Sequence, residues 1–317
     1  MYESWRLSLK VRTLLAAVLL PAALLGPTTL RAQDLVKDAL QSFPTLTVRL
    51  EYSNSAKLRK LPDYTVLRQR YLGPQLQKLE KSLSQLGIQE SDVDELVLGW
   101  QAGSSGLDLN GLALGRFNSK SVATSAAGAG FSPTPMADQT AYCFGPETTD
   151  MCAVVLGDSE GAFGTRSSLA AMLEARAGRA ANLSSNSQFK TLMDEARTEA
   201  PIWGVAVGPG VADWFKGSMP GQENLQLDWS QAFATVQALS YRVDAGDKVN
   251  LQVRLDCTTT QAASSLRQLL DGLKTFQQLA WQNQHPNQPN PFQALEVDSA
   301  GQRVNLKLIA PYPSVKG

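Results

Sequence analysis

Val243-Asp-Ala-Gly-Asp-Lys-Val-Asn-Leu-Gln-Val-Arg-Leu255 is echoed further along the chain by Val297-Asp-Ser-Ala-Gly-Gln-Arg-Val-Asn-Leu-Lys-Leu-Ile309. Each copy reads as a strand end, a tight Asp/Gly turn and a strand that alternates apolar with polar residues. A period of two puts the Val and Leu side chains on one face, so each copy predicts a β-hairpin with one buried side. Between the copies, Ala262, Leu266, Leu269, Leu273, Phe276 and Ala280 recur at helical spacing behind a Thr258 to Thr260 cap. That predicts a long helix with this stripe buried. His285-Pro-Asn-Gln-Pro-Asn-Pro291 then breaks it and serves as a linker. Half-buried hairpins with a covering helix define the class: α+β, with largely antiparallel sheets.

The same reading extends toward the N-terminus. Thr45 to Tyr52 alternates as a first strand, and Leu76, Leu79, Leu83 and Leu86 mark an amphipathic helix ending at Gly87. Ser91-Asp-Val-Asp94 reads as a helix-start cap before Leu96 to Trp100. Leu112 to Phe117 reads as a strand, followed by a small-residue stretch from Ser119 to Gly130. Two helices are expected at Ser167 to Arg176 and Ser187 to Ala196, then an apolar strand at Pro201 to Val207. A short helix at Asp213 to Phe215 precedes the Gly-rich loop at Gly217 to Gly221. Both sides of the chain follow the order strand, helix, two strands, helix, two strands. The expected organisation is a first α+β half over 33–180 and a second over 181–317, related by an internal duplication and packed as one domain or two.

Residues 1–32 read as a secretory signal: Arg6, Lys10 and Arg12, an apolar run from Leu14 to Leu25, then Leu30-Arg31-Ala32 as a cleavage site. The run falls short of the ~20 residues that span a bilayer. The mature chain is therefore expected to be exported, periplasmic or extracellular, with no membrane span. Whole, the chain balances 29 basic against 29 acidic residues; removing the signal leaves a net charge of −3. So even a balance argues against nucleic acid as a partner.

Cys143 and Cys152 flank a turn-rich stretch, and a hairpin there would bring them within disulfide reach in an oxidising compartment; two separate buried thiols are the alternative. Cys257 continues the alternation of Val249, Leu251, Val253 and Leu255 and belongs to a buried face. Three cysteines and one histidine, without CxxC or HxxxH spacing, call for no metal and no cofactor.

Ala170-Ala-Met-Leu-Glu-Ala-Arg-Ala-Gly178, with Asn182-Leu-Ser184, Phe189-Lys-Thr-Leu-Met193 and Pro201-Ile-Trp203, resembles exported bacterial α+β repeat proteins of unknown function, in which paired helices lead into a strand carrying Trp. The resemblance implies a secreted repeat scaffold and supplies no catalytic residue.

One motif merits trial as chemistry. Gly157-Asp-Ser159-Glu-Gly161 fits G-x-S-x-G, the nucleophile elbow of an α/β-hydrolase. His285 follows, with Asp228, Asp247 and Asp271 between, so a Ser159–His285 hydrolase is the alternative function. Against it, the next helix starts late and the histidine sits in a Pro/Asn-rich linker. The favoured reading is a non-enzymatic binding or assembly scaffold whose partner is an envelope protein, peptide or lipid. Trp281 and Trp214 are the candidate binding residues, since aromatics give large contact area at small entropic cost.

Overall fold

The computed structural model describes residues 28–62, 64–65, 68, 72–103, 106–218 and 228–311. The signal-like stretch up to residue 27 and the Gly-rich loop from residue 219 lie outside them. The chain divides into Met1–Asp34 and one compact unit, Leu35–Gly317, which carries both expected halves.

The described strands form one twelve-stranded sheet in which every neighbouring pair is antiparallel. In chain order they are β1 (Thr47–Ser53), β2 (Val93–Gly103), β3 (Gly106–Gly115), β4 (Pro133–Met136), β5 (Gln139–Cys143), β6 (Met151–Gly157), β7 (Glu160–Thr165), β8 (Ile202–Val207), β9 (Val236–Ala245), β10 (Lys248–Cys257), β11 (Leu295–Ala300) and β12 (Arg303–Pro311). The longer helices are α1 (Thr28–Ser42), α2 (Pro74–Gln85), α3 (Ser119–Gly128), α4 (Arg166–Arg176), α5 (Ser187–Ala196), α6 (Pro209–Ser218) and α7 (Thr260–Gln284). The mixed α+β class stands.

Across the sheet the order is β11-β12-β10-β9-β8-β1-β2-β3-β7-β6-β5-β4. The two echoing segments are the hairpins β9–β10 and β11–β12, joined side by side through β10 and β12. At the centre β1 pairs with β8, and from this seam the strands run outward as β1-β2-β3 on one side and β8-β9-β10 on the other. The edges differ in chemistry. β4 is four residues long and carries Pro133 and Pro135, which cannot donate to a further strand.

Partners in register share a face. Leu98, Gly111, Phe163 and Ala153 line up with Glu51, Gly204, Tyr241, Val253 and Leu306 on one face. Over β9, β10 and β12 that face is covered by α7 and α6. Thr259 caps α7 by accepting from Ala262 N at 3.0 Å, and Ala263, Leu266, Leu270 and Leu273 face the sheet. This corrects the expected stripe: Phe276 is 42% exposed, while the polar Gln277 takes its place inside. The buried face advances by i+4 from Leu273 to Gln277, where the apolar pattern steps by i+3 to Phe276, and the buried glutamine hides that step.

A second correction concerns 93–103. Only Glu90–Asp92 is helical there, a single turn closed by reciprocal Gln89 and Asp92 side-chain bonds, and the following residues are strand β2. Pairing with β1 and β3 on its two edges, and burial of Val97 and Leu98 on its two faces, override the capping signal. The 160–165 stretch is likewise strand β7, hydrogen-bonded to β3 and β6.

Candidate functional site

Helix α2 explains where the site lies. Its leucines fall on one face, and a glycine stop ends it: Gly87 has φ of 76°, Gly87 N–H donates to Ser84 O at 3.1 Å, and Ile88 N–H donates to Leu83 O at 3.0 Å. Such a C-terminal motif favours glycine because a Cβ strains the left-handed conformation, and it brings Ile88 back onto Leu83. Leu79 and Leu86 are buried, whereas Leu76 and Leu83 are only half-buried. The half-buried leucines pack on core side chains with one part of their surface and border empty space with the rest.

That space is an apolar cavity of about 410 Å³ between α2 and the sheet face of β2, β3, β7 and β6. Its roof is Leu76, Leu79 and Leu83; Leu86, Ile88 and Val122 close one side. Small residues form the floor: Ala113, Gly161 and Ala153 stand on three neighbouring strands, with Gly161 opposite both Ala113 and Val155. Phe163 lies against Gly111, where a Cβ would sit 2.4 Å from the ring, so the ring stays low against the sheet. The rim is polar and exposed: Gln77, Lys81, Ser84 and Gln89.

Ion pairs tie the walls together. Arg68 is paired with Glu80 of α2. Arg59 donates to the Val93 carbonyl at 2.6 Å and pairs with Glu90 and Asp94, each at 3.2 Å. Tyr64 donates to Glu90 at 2.7 Å; burial, then that carboxylate, push its hydroxyl up to about 12. Behind the floor, on the opposite face of the sheet, Arg176 donates to Asp38 at 2.7 Å, to Glu160 at 2.9 Å and to Ser42 at 3.1 Å. Burial, then the adjoining Asp38 carboxyl, raise Glu160 to about 7.

The residues singled out from sequence lie elsewhere. Ser159 is exposed in the tight β6–β7 turn, whose Asp158 and Ser159 carbonyls accept from Phe117 N at 2.8 Å and Gly115 N at 2.9 Å. A strand follows that turn, not the helix that a nucleophile elbow requires. His285 caps the end of α7 and packs on Trp281 at 4.4 Å. Helix α7 covers β10 to β12, and six strands separate β12 from β7 in the sheet order. At about 4.8 Å per spacing, the seven spacings from β12 to β7 put those two strands roughly 34 Å apart across the sheet, with Ser159 at the far one. They form no triad.

Trp214 is a core residue, 8% exposed, packed edge-on against Phe215 and 5.0 Å from Tyr241. Trp281 is half-buried and packs toward Phe292, fastening the end of α7 to the loop before β11. Neither tryptophan lines the cavity. Cys143 and Cys152 sit opposite each other in β5 and β6 and are joined as a disulfide; Cys257 is a buried free thiol at the end of β10. Among the described residues no cluster of His, Cys, Asp and Glu is placed to hold a metal, and no helix is long and apolar enough to cross a membrane.

The sequence displayed the leucine roof as a helical period, but not the floor. Ala113, Ala153 and Gly161 come together only through strand pairing, and no local pattern marks them.

No family model and no curated protein matches the chain. Solved structures do. Crystal form III of TP0453 superimposes with a TM-score of 0.52, covering 88% of this chain and 96% of that one, at 10% identity. Crystal form I gives 0.50, covering 88% and 94%, again at 10% identity. At that identity the likeness is one of fold: this chain shares the α+β architecture of TP0453.

Proposed function

We propose that this chain is an exported, non-enzymatic binding protein that holds an apolar small molecule between helix α2 and the sheet. The cavity carries the proposal. An interior close-packs wherever its residues permit, and a void forfeits dispersion contacts on every wall. Here a row of small residues lies directly beneath a leucine roof, with polar groups confined to the rim. The volume lies within the range of small-molecule pockets, roughly 300–1,000 Å³. Of the partners expected from sequence, this favours a lipid-like molecule over a protein or peptide. Export rests on the signal-like segment 1–32, and the matching outward strand order on either side of β1 and β8 supports a duplicated plan.

The test is titration with the neutral dye N-phenyl-1-naphthylamine. Its fluorescence should rise and saturate at one site per chain. The double variant Ala113→Leu, Ala153→Leu should weaken this at least tenfold, without lowering the thermal midpoint, because the new methyl groups fill a void. Absence of binding, or equal binding by the filled variant, refutes the proposal.

A further inference from the structure

At the mouth of the cavity the charges are unequally paired, which bears on its ligand. Among the described residues, four charged side chains line it: Arg68, Glu80, Lys81 and Glu90. Arg68 and Glu80 pair with each other, and Glu90 is held by the Tyr64 hydroxyl and by Arg59, which it shares with Asp94. Lys78, one turn before Ser82 on the same helix, reaches Asp150 at 3.8 Å. Lys81 is exposed at the rim and has no ion-pair partner among the described residues.

We propose that the ligand is a single-chain aliphatic acid, its tail in the cavity and its anionic head beside Lys81. This rests on the cavity reading above and narrows it. The tail follows from the walls. Leucine, isoleucine, valine and alanine dominate them, and a cavity of about 410 Å³ lies in the lower part of the small-molecule range, suited to one chain. The head follows from the solvent boundary. An amphiphile keeps its polar end in water while its stem is buried, so the head stops at the rim. There it meets Lys81, the one lining cation among the described residues without an ion-pair partner, which attracts an anion and repels a cation.

The magnitudes divide the work. Each methylene drawn into the cavity contributes about fourfold in affinity. An exposed ion pair at the mouth contributes only about two- to fivefold. The tail sets affinity; the head sets preference.

Three probes of equal chain length separate these contributions: dodecanoate, dodecanol and dodecyltrimethylammonium, each competing with the neutral dye below its micelle concentration. Dodecanoate should bind about two- to fivefold tighter than dodecanol, with the ammonium weakest, and the gap should shrink in high salt. Lys81→Glu, at an exposed position, should reverse the order of the two charged probes, and Lys81→Gln should bring dodecanoate level with dodecanol. From octanoate to dodecanoate affinity should rise about fourfold per methylene. If none of the probes displaces the dye, the cavity reading falls. If all three bind alike and Lys81→Glu leaves their order unchanged, the tail reading stands and the anionic head is overturned.

Discussion

One sheet face is covered twice, in two ways. Over β9, β10 and β12 the covering is solid: Phe215 stacks on Phe233 with centroids 4.1 Å apart, Trp214 meets Phe215 edge-on at 4.9 Å, and Leu266, Leu270 and Leu273 of α7 fill the rest. Over β2, β3, β7 and β6 the covering helix α2 packs Leu79 on Leu98, Met151 and Phe163, but above Ala113, Gly161 and Ala153 the volume stays open. The boundary is polar. Arg49 lies 3.9 Å over the Trp100 ring and pairs with Glu51 at 3.3 Å and Asp213 at 3.1 Å; Tyr241 donates to Glu51. Burial, then the Glu51 charge, hold Tyr241 as the neutral phenol, well above its ordinary range. The contrast teaches that aromatic stacking beneath α6 and α7 fills one side, while small residues at Ala113, Gly161 and Ala153 leave room for a ligand on the other.

Mutations should respond to this division. The largest effect is expected in the solid half: Phe215→Ala removes a side chain 2% exposed and should cost about 3–5 kcal/mol in urea denaturation. A loss under about 1.5 kcal/mol would show that Phe215 contributes little to the packing beneath α6. Next is the disulfide. Cys143 and Cys152 are nine positions apart, and closing so short a loop corresponds to about 2–3 kcal/mol on the chain-entropy estimate. The pair Cys143→Ser, Cys152→Ser should lower stability by that amount and abolish its dependence on reductant.

Smaller effects belong to the hollow half. Leu83→Ala should cost less than about 1.5 kcal/mol, because its side chain already borders open space. Saturating ligand should widen the difference between Leu83 and Leu83→Ala proteins. Glu160 should produce the smallest change. Its carboxyl is raised to about 7 in the folded chain, so between roughly pH 4.5 and 7 the native state holds more protons than the unfolded state. Its contribution therefore declines as pH rises through that window, by about 1 kcal/mol once solvent screening is allowed for. Glu160→Gln should flatten this part of the pH–stability profile. An unchanged profile would mean that Arg176 compensates the charge fully.

The division between the halves also governs what could be read from sequence. The solid half was legible: alternation in 243–255 and 297–309 specifies its hairpins, and Leu266 and Leu273 mark its helix. The interruption came at Gln277, whose burial depends on helix phase rather than on polarity. In the hollow half the roof was legible through Leu76 to Leu86, and the floor was not. Strand β7, Glu-Gly-Ala-Phe-Gly-Thr, has two glycines and alanine where a strand is expected to show branched residues; its strand character comes from β3 and β6 on either side. A cavity is a deficit of volume summed over strands distant in sequence, and periodicity records only what each segment contributes alone. The G-x-S-x-G match failed for a related reason: five residues cannot specify whether a helix or a strand comes next.

The central seam has a consequence for how the chain reaches this state. Most neighbours in the sheet follow one another directly along the chain, but β1 and β8 pair Leu50 with Val205, about 155 residues further on. Closing that loop costs entropy before any contact in it is rewarded, and pairings of this kind slow the search for the native topology. The halves can gain their hairpins early; the β1–β8 zipper closes late. Val205→Ala should then mainly speed unfolding, leaving the refolding rate nearly untouched if the zipper forms after the barrier.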